Sequence, residues 1–429
     1  MKSKRIGNIL LLILVCVLCV LSGCGKTQKD TIEITLIHGW GSTGEDHVAM
    51  RQIYKDFEEE HPWIHLNLIS MPSSTDVVDK VEDLLNVGEV PDIVFTGGEG
   101  RESIYSFMIQ KGYAVDLMPY IKEDDDFARN VSPAILQSWE TEEGELYTVS
   151  DVVLMSGYWY NQQIFDDAGI ETAPTTWDEW FEMCRKVGEL GKERDTTLVP
   201  IVLDREHISY LTAALLVDEG AQEATKIGND EINVNTKAFK NVLEKLKKMS
   251  AYARLEEEYH YLDTLSDFNK GESAVYINGV WANTMIDENL PVAYAAFPTE
   301  DGDGIVAKSA CVGYILGNTK DEKRIAASVE FLKYMLSDRV AERILTSTGQ
   351  IPSNPNIEIT SQNSSERIKQ AVVCVEKAGM IMEIPENLWN LCSKEKYEKN
   401  VILYLKGDIS EMEFLKRMSE ITMKKQVLE

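Results

Sequence analysis

The sequence lacks the short motifs that mark common enzyme classes. It contains no G-x-S-x-G element and no phosphate-binding P-loop. Glycoside hydrolysis needs two carboxylates around the scissile bond, but among 71 Asp and Glu residues the sequence singles out no pair. We therefore predict no catalytic residue and no cofactor, and a secreted carbohydrate-active enzyme stays only as an alternative.

Positive charge is also scarce. The 43 Lys and Arg residues are outnumbered by Asp and Glu, and the formal net charge is -28. A surface this acidic repels nucleic acid and anionic lipid headgroups. We expect no nucleic-acid partner, and a strongly anionic ligand is disfavoured.

The cysteines show no metal-binding pattern. Beyond the amino-terminal segment no C-x-x-C pair is present, and no histidine lies at a metal-ligand interval from a cysteine. We predict no metal site. Beyond the amino-terminal segment, the cysteines read as small buried hydrophobic residues, with one disulfide possible but not assignable: Cys184, Cys311, Cys374 and Cys392.

The amino terminus has the features of an export signal. Three basic residues lie among the first five, and the uncharged apolar run 9–21 follows them. This run is shorter than the ~20 residues that cross a bilayer. The four residues LSGC, which end at Cys24, resemble the bacterial lipoprotein box. That resemblance implies removal of residues 1–23, a lipid on Cys24 and a tether over 24–30, with a plain secretory signal as the alternative.

The length indicates two domains. A chain of 429 residues exceeds the size of one ordinary hydrophobic core. Apolar residues alternate over 31–36, which predicts a strand, and Ser42 with Glu45 matches a capping box at the start of a helix. The remaining elements predicted for the first half are strands over 64–68 and 91–95 and a helix over 77–85.

This strand-helix alternation predicts a parallel sheet covered by helices. Ligands bind such sheets at the carboxyl ends of the strands. The segments HGWGS and TGGEGR, which follow the first and third predicted strands, are therefore candidate pocket loops.

The second half repeats the pattern with more aromatic residues. Thr176 and Glu179 predict another capping box, and the spacing of Trp177 and Trp180 on that helix indicates core positions. A strand over 274–277 precedes Asn278-Gly279, which predicts a turn. Trp281 then lies at the mouth of a sheet, where a large flat ring can contact a ligand.

Several segments together resemble one protein family. The chain is similar to extracellular solute-binding proteins, family 1, that serve ATP-driven (ABC) importers, and most similar to the branch that includes maltose-binding protein. The resemblance covers nearly all of residues 31–429. The segments that carry it are PDIVF, GELYTVS, YWYNQQIFDDAGI, APTTWDEW, FNKGESAVYINGVW, VAYAAFP and TGQIPSNP.

The resemblance implies a fold and its division. The fold is α/β, of the periplasmic-binding-protein-like type II class, with two α/β lobes, three chain crossings, a hinge and a ligand cleft. The amino-terminal lobe would comprise 31–149 plus 310–348. The carboxyl-terminal lobe would comprise 150–309 plus 349–429.

The resemblance also implies binding residues. Trp281 matches the sugar-stacking tryptophan of the family, Trp389 a second one, and Tyr147 a pocket position at the first crossing. Packing between the lobes is the alternative for each tryptophan. Loop residues that supply polar contacts in relatives correspond to Trp40, Ser42, Glu99 and Arg101.

Two departures leave the ligand open. Val280 replaces the usual proline before the tryptophan, and Leu154 and Met155 occupy a position where some sugar binders have a carboxylate. The resemblance implies a monomer on the outer face of the membrane that captures an oligosaccharide or related polyhydroxylated solute for permease subunits. Alternatives are a polyamine, a glycerol phosphodiester, or a sensor role that uses the same closed form.

Overall fold

The computed structural model describes most of the chain beyond its amino terminus. The described residues are 31–97, 104–205, 207–221, 232–258, 261–389 and 391–425. The predicted signal peptide, the lipidation residue Cys24, Glu99 and Arg101 lie outside these ranges. Within them, no helix is long and apolar enough to cross a membrane.

The first sheet has the predicted β-α-β-α-β order. Strands β1, β2 and β3 are parallel, β1 lies between the other two, and the later strand β10 runs antiparallel beside β3. The predicted parallel sheet is therefore confirmed. The elements are β1 (Ile32–His38), α1 (Glu45–Glu60), β2 (Ile64–Ser70), α2 (Ser74–Asn86), β3 (Ile93–Phe95) and β10 (Tyr314–Leu316).

The second sheet has seven strands and mixed directions. Its order is β11-β9-β4-β7-β5-β6, and β8 also pairs with β4. Strand β4 runs antiparallel to β7, β8 and β9, whereas β5 is parallel to β6 and β7. The strands are β4 (Val153–Asn161), β5 (Val199–Asp204), β6 (Arg254–Glu256), β7 (Ser273–Gly279), β8 (Val292–Ala295), β9 (Ile305–Ala310) and β11 (Met380–Met382).

Helices cover both sheets and fill the connections. The described helices beyond α2 are α3 (Ile104–Gln110), α4 (Met118–Glu123), α5 (Asp125–Asn130), α6 (Pro133–Trp139), α7 (Gln162–Asp167), α8 (Trp177–Glu193), α9 (Ile208–Asp218), α10 (Lys237–Ser250), α11 (Tyr261–Asn269), α12 (Glu322–Met335), α13 (Asp338–Thr348), α14 (Glu366–Lys377), α15 (Pro385–Leu388), α16 (Leu391–Lys406) and α17 (Glu411–Lys425).

The two predicted capping boxes have different outcomes. At α8, Thr176 accepts the amide of Glu179 while the Glu179 carboxylate accepts the amide of Thr176, so this box is confirmed. At α1 the prediction is wrong, because Gly44 is the N-cap and makes no side-chain cap. The Ser42 hydroxyl instead accepts the amide of Gly44 at 3.3 Å, within the loop that precedes the helix.

The aromatic core of the second half agrees with the helical spacing. Trp177 and Trp180 are 2% and 0% exposed, so both are core residues as predicted. Of the predicted buried cysteines, Cys184 and Cys311 are buried and Cys374 is half-buried, and all three are free.

The predicted Asn278-Gly279 turn is wrong. Both residues belong to β7, where Asn278 lies opposite Gly157 and Gly279 opposite Ser156 of β4. A short 3₁₀ helix, Val280–Thr284, follows directly. The ladder with β4 therefore extends two residues further than the local turn signal suggests.

The chain passes between the two sheets three times. It enters the second sheet at β4, returns to the first at β10, and re-enters the second before β11. The crossings lie side by side, because Val149 bridges Tyr314 and Val152 bridges Pro352. The lobe boundaries given above stay a prediction, which the separate hydrophobic clusters around each sheet support.

One aspartate joins all three crossings. The backbone carbonyl of Asp151 accepts the amide of Ser353 at 2.8 Å, and its Oδ2 accepts the Tyr314 hydroxyl at 2.8 Å. The Tyr314 and Tyr54 hydroxyls lie 3.1 Å apart. Asp151 is 2% exposed, and this burial raises the pKa of its carboxyl from 3.8 to about 6.

Asp151→Asn is expected to stabilise the protein at neutral pH. A raised pKa means that the folded protein binds this proton more tightly than the unfolded chain, so the stability contribution is full below about pH 4 and is lost as pH rises towards 6. The variant keeps the acceptor for Tyr314 and avoids the buried charge. We expect the free energy of unfolding to rise by about 2–3 kcal/mol at pH 7.5 and to change little at pH 4, measured by urea denaturation at both pH values.

Asp338→Asn is the matched control. Hydrogen bonds from Asn356 and Asn354 lower the pKa of Asp338, so its removal should cost stability at pH 7.5 rather than add it. An Asp151→Asn variant that loses stability equally at both pH values would contradict the buried-charge interpretation.

Candidate ligand-binding site

In the second sheet, the carboxyl ends of five strands lie at one edge. Ser156 of β4 lies opposite Gly279, and Val153 lies opposite Ala310. Strand β5 is parallel to β6 and β7, and β11 is parallel to β9. The carboxyl ends of β5, β6, β7, β9 and β11 therefore share the edge at which β4 begins.

The first sheet directs its strand ends to the same region. The carboxyl ends of β1, β2 and β3 share one edge because the three strands are parallel. Tyr314 pairs with Phe95 at that edge and bridges Val149 at the first crossing. The crossings thus leave both sheets at their carboxyl edges, which is where open α/β sheets bind ligands.

The loop after β1 carries Trp40 and Ser42 into this region. The Trp40 ring is half-buried and stacks on Phe95, with 5.5 Å between ring centroids. Ser42 is exposed. The Arg51 guanidinium donates to the Trp40 carbonyl and, at 2.9 Å, to the Ser42 carbonyl, so helix α1 determines the shape of the loop.

Backbone packing fixes the same loop from the other side. The Gly41 amide donates to the Met71 carbonyl at 2.9 Å, and a Cβ at position 41 would lie 2.4 Å from that oxygen. Only glycine allows this approach. His38 accepts the Trp40 amide at 3.1 Å, and burial, aided by Arg51, lowers the pKa of His38 to about 4, so this imidazole is neutral at pH 7.

Tyr147 lies at the first crossing, two residues before Val149. Its side chain is half-buried, and its hydroxyl donates to Glu145 at 2.9 Å. Burial and the Glu145 carboxylate raise the pKa of Tyr147 to about 12, so the phenol stays protonated and can donate a hydrogen bond.

Trp281 extends from the carboxyl end of β7 on the 3₁₀ helix. The side chain is half-buried and packs against the buried hydrophobic cluster that contains Trp159 and Val280. A Cβ on Gly279 would lie 1.9 Å from Cζ3 of Trp281 and 2.1 Å from Cε3, so the indole lies directly on the glycine backbone. The missing side chain at position 279 creates the space for the ring.

Trp389 is placed differently from Trp281. It is 2% exposed and packs beside Tyr397, with 6.2 Å between ring centroids. Its role in ligand contact stays a prediction, and its burial in this conformation weighs against ring stacking. The buried Nε1 of Trp389 has no hydrogen-bond partner in the described part of the chain.

Three further polar groups at this edge were missed from the sequence. The buried Ser156 Oγ and Asn387 Oδ1 have no partner in the described part of the chain. Asn387 is oriented by donating to Ser309 at 3.2 Å and to Glu383 at 3.1 Å. Such positions could have been identified as polar residues next to a predicted strand end. Asn278, the third group, directly follows the predicted strand 274–277.

A buried charge cluster lies beyond β11. The Lys394 ammonium is 3.4 Å from Glu386 and 2.9 Å from Glu398, and the Tyr210 hydroxyl donates to Glu386 at 3.0 Å. Burial raises the pKa of Glu398 to about 7 despite the nearby Lys394. Glu386 is only partly buried, so this carboxylate can also accept from a bound molecule.

The described residues contain no cluster of three or more His, Cys, Asp or Glu side chains that could bind a metal ion. The arrangement is therefore one of aromatic rings, hydroxyls, amides and carboxylates at the edges of a cleft. Such groups bind a small polar molecule by stacking and hydrogen bonds.

Comparison with known proteins identifies the family. A family model described as bacterial extracellular solute-binding protein matches residues 40–342. The chain belongs to this family. The predicted membership is confirmed, and its members are binding proteins that act outside the cell.

Individual relatives of this solute-binding protein are distant in sequence. It is 21% identical to the multiple sugar-binding protein of Streptococcus mutans over 351 residues, which cover 79% of this chain and 80% of that protein.

Solved structures confirm the fold. A Streptococcus pneumoniae solute-binding protein in complex with the blood group A-trisaccharide has a TM-score of 0.74 and 22% identity, and the match covers 91% of this chain and 99% of that one. The GacH receptor of Streptomyces glaucescens GLA.O, solved with acarbose, has a TM-score of 0.73 and 19% identity, over 92% and 98% of the two chains. The two-lobed type II α/β fold is therefore confirmed.

Gly279→Ala is expected to displace the Trp281 ring. The backbone of Gly279 has φ -80°, which alanine also adopts, so the effect is steric rather than a backbone strain. Overpacking should lower the free energy of unfolding by about 1–3 kcal/mol. Acrylamide quenching of the Trp281 emission, isolated by subtracting a Trp281→Phe variant, should rise.

Gly188→Ala in α8 is the control. The nearest atom to a Cβ there is 3.9 Å away, so this change should leave Trp281 quenching unaltered and favour the helix slightly. Unchanged quenching in both variants would show that the indole does not lie on Gly279.

Proposed function

We propose that this solute-binding protein captures an oligosaccharide or a related polyhydroxylated solute and delivers it to the membrane subunits of an ABC importer. The observation that carries the proposal is the half-buried Trp281 ring, which lies on Gly279 at the carboxyl edge of the second sheet. The aliphatic face of a pyranose ring packs well against such an aromatic plane. The sugar ligands of the relatives named above support the same class.

The hydrogen-bonding groups around the cleft fit hydroxyl-rich ligands. Asn387 and Ser156 offer buried polar atoms that have no partner among the described residues, and Glu386 offers a partly exposed carboxylate. Trp40, Ser42 and Tyr147, which lie after β1 and at the first crossing, are our proposed contacts from the first sheet. We also retain Trp389, Glu99 and Arg101 as proposed contacts, of which the last two lie outside the described residues.

The mechanism is a shift between open and closed forms. A ligand that first binds one lobe gains contacts with the other only when the lobes close, so binding favours the closed form. The closed form is then the one that the permease recognises. The chain makes and breaks no bond, works as a monomer, and is attached by lipid on Cys24 to the outer face of the membrane.

A thermal-shift screen tests this function. Residues 25–429 are heated with a panel of oligosaccharides, and with polyamines and glycerol phosphodiesters as rival classes. A ligand at ~100-fold over its Kd stabilises the folded protein by about 2.7 kcal/mol, a shift of several degrees in Tm. We expect an oligosaccharide to give this shift and Trp281→Ala to abolish it.

Trp63→Ala is the matched control. Trp63 is also half-buried but directly precedes β2, at the opposite end of that strand from the cleft. The Trp63→Ala variant should have a lower Tm both with and without ligand, but the ligand-induced shift in Tm should be preserved. A shift produced only by a polyamine or a phosphodiester would retain the importer function and overturn the oligosaccharide assignment, whereas turnover of a glycan would overturn the binding function itself.

A further inference from the structure

A chain of polar side chains runs behind Trp281. Asp204 ends β5, and its Oδ1 accepts the backbone amide of His207 at 2.8 Å. The Nδ1 of His207 lies 2.8 Å from Asp204 Oδ2, and Thr264 of α11 also donates to that oxygen. These side chains are buried, with 0% exposure for Asp204 and 8% for His207.

The backbone decides which atom of Asn278 faces the histidine. The Gly279 amide can only donate, and it lies 2.7 Å from the Asn278 side chain, so the atom there is Oδ1. The Asn278 Nδ2 is therefore the atom 3.2 Å from His207 Nε2, and it contacts the Tyr276 hydroxyl as well.

This orientation determines the protonation state of His207. Because Nδ2 of Asn278 is a donor only, His207 Nε2 must accept, so the ring is neutral with its proton on Nδ1, facing Asp204. The Asp204 carboxylate of β5 is a charged group in contact with the ring. From β7 the edge-on ring of Tyr276 faces it at 5.5 Å, and α11 contributes the uncharged Thr264 to the same cluster.

This series of polar side chains ends at the Gly279 backbone, on which Trp281 lies. Asn278 fixes the amide of Gly279, and the indole of Trp281 lies against the Cα of that same glycine. A rotation of the peptide at position 279 would move the contact surface of the ring. His207, Asn278 and Gly279 thus form a continuous series of contacts that ends at Trp281.

We propose that His207 is a positioning residue for the ligand site: its neutral imidazole orients Asn278 and Gly279 beneath Trp281, and its protonation releases them and weakens ligand binding. Protonated Nε2 carries an N–H that opposes the N–H of Asn278, so the hydrogen bond between them is lost. The effect on ligand affinity rests on the proposed function, whereas the effect on the Trp281 ring does not.

The first test needs no ligand. The acrylamide quenching of Trp281, obtained as wild type minus Trp281→Phe, is followed from pH 8 to pH 5 on residues 25–429. We expect a titration within this range, because an imidazole changes charge there. His207→Gln can still accept from Asn278 but cannot ionise, so it should show no titration, while His65→Gln, at an exposed histidine paired with Glu58, should leave the titration intact.

The second test uses the oligosaccharide that gives the largest thermal shift. Its Kd should be about five-fold weaker at pH 5 than at pH 7.5 in the wild type, the equivalent of one lost hydrogen bond. His207→Gln should remove this pH dependence. If the wild-type Kd does not change with pH while binding still depends on Trp281, the positioning role is overturned and the proposed function stands. If the quenching of Trp281 titrates but no oligosaccharide binds, the proposed function is overturned and the positioning of Trp281 by His207 stands.

Asn278→Asp provides a variant that does not alter the histidine. A carboxylate at 278 can accept from the Gly279 amide and from a protonated His207 together, so the protonated ring should now be favoured and the quenching titration should move to higher pH. This variant decides the question if His207→Gln fails to fold. An unchanged titration in Asn278→Asp would show that the signal does not pass through the contact between His207 and Asn278.

Discussion

The pairing of β4 with β7 and β9 is the constraint on which the site depends. Strand β4 is antiparallel to both β7 and β9, and its first residues lead directly out of a crossing. The register Ser156–Gly279 therefore determines at once where β7 stops, where the 3₁₀ helix starts and how far the site lies from the first sheet. A slip of one residue would turn every side chain of the strand to the other face.

The two sides of the cleft are built by different means. On the first sheet, the loop with Trp40 is shaped by backbone contacts, namely Gly41 against Met71 and the Arg51 guanidinium on two carbonyls. On the second sheet, the ring of Trp281 depends on a polar chain that begins at Asp204. Both arrangements are held by contacts within the protein, and such preorganisation lowers the entropic cost of binding.

Much of this architecture was predictable from local signals. The strand-helix order, the cap at Thr176 and the core positions of Trp177 and Trp180 follow from periodicity and spacing alone. Asn278-Gly279 was misjudged because that dipeptide is a strong hairpin signal, yet its pairing partner lies more than a hundred residues away. His207 could not be identified from sequence, since its partners Asp204, Thr264 and Asn278 come from three separate elements.

The contact between Trp281 and Gly279 also bears on how this site can change over generations. Any side chain at 279 would occupy the space of the indole, and a small residue at 281 would expose the glycine backbone to water. Neither position can be exchanged independently without loss. A substitution at one position therefore requires a matching substitution at the other. New ligand preferences thus arise more readily from substitutions in the loops of the first sheet than from replacement of this ring.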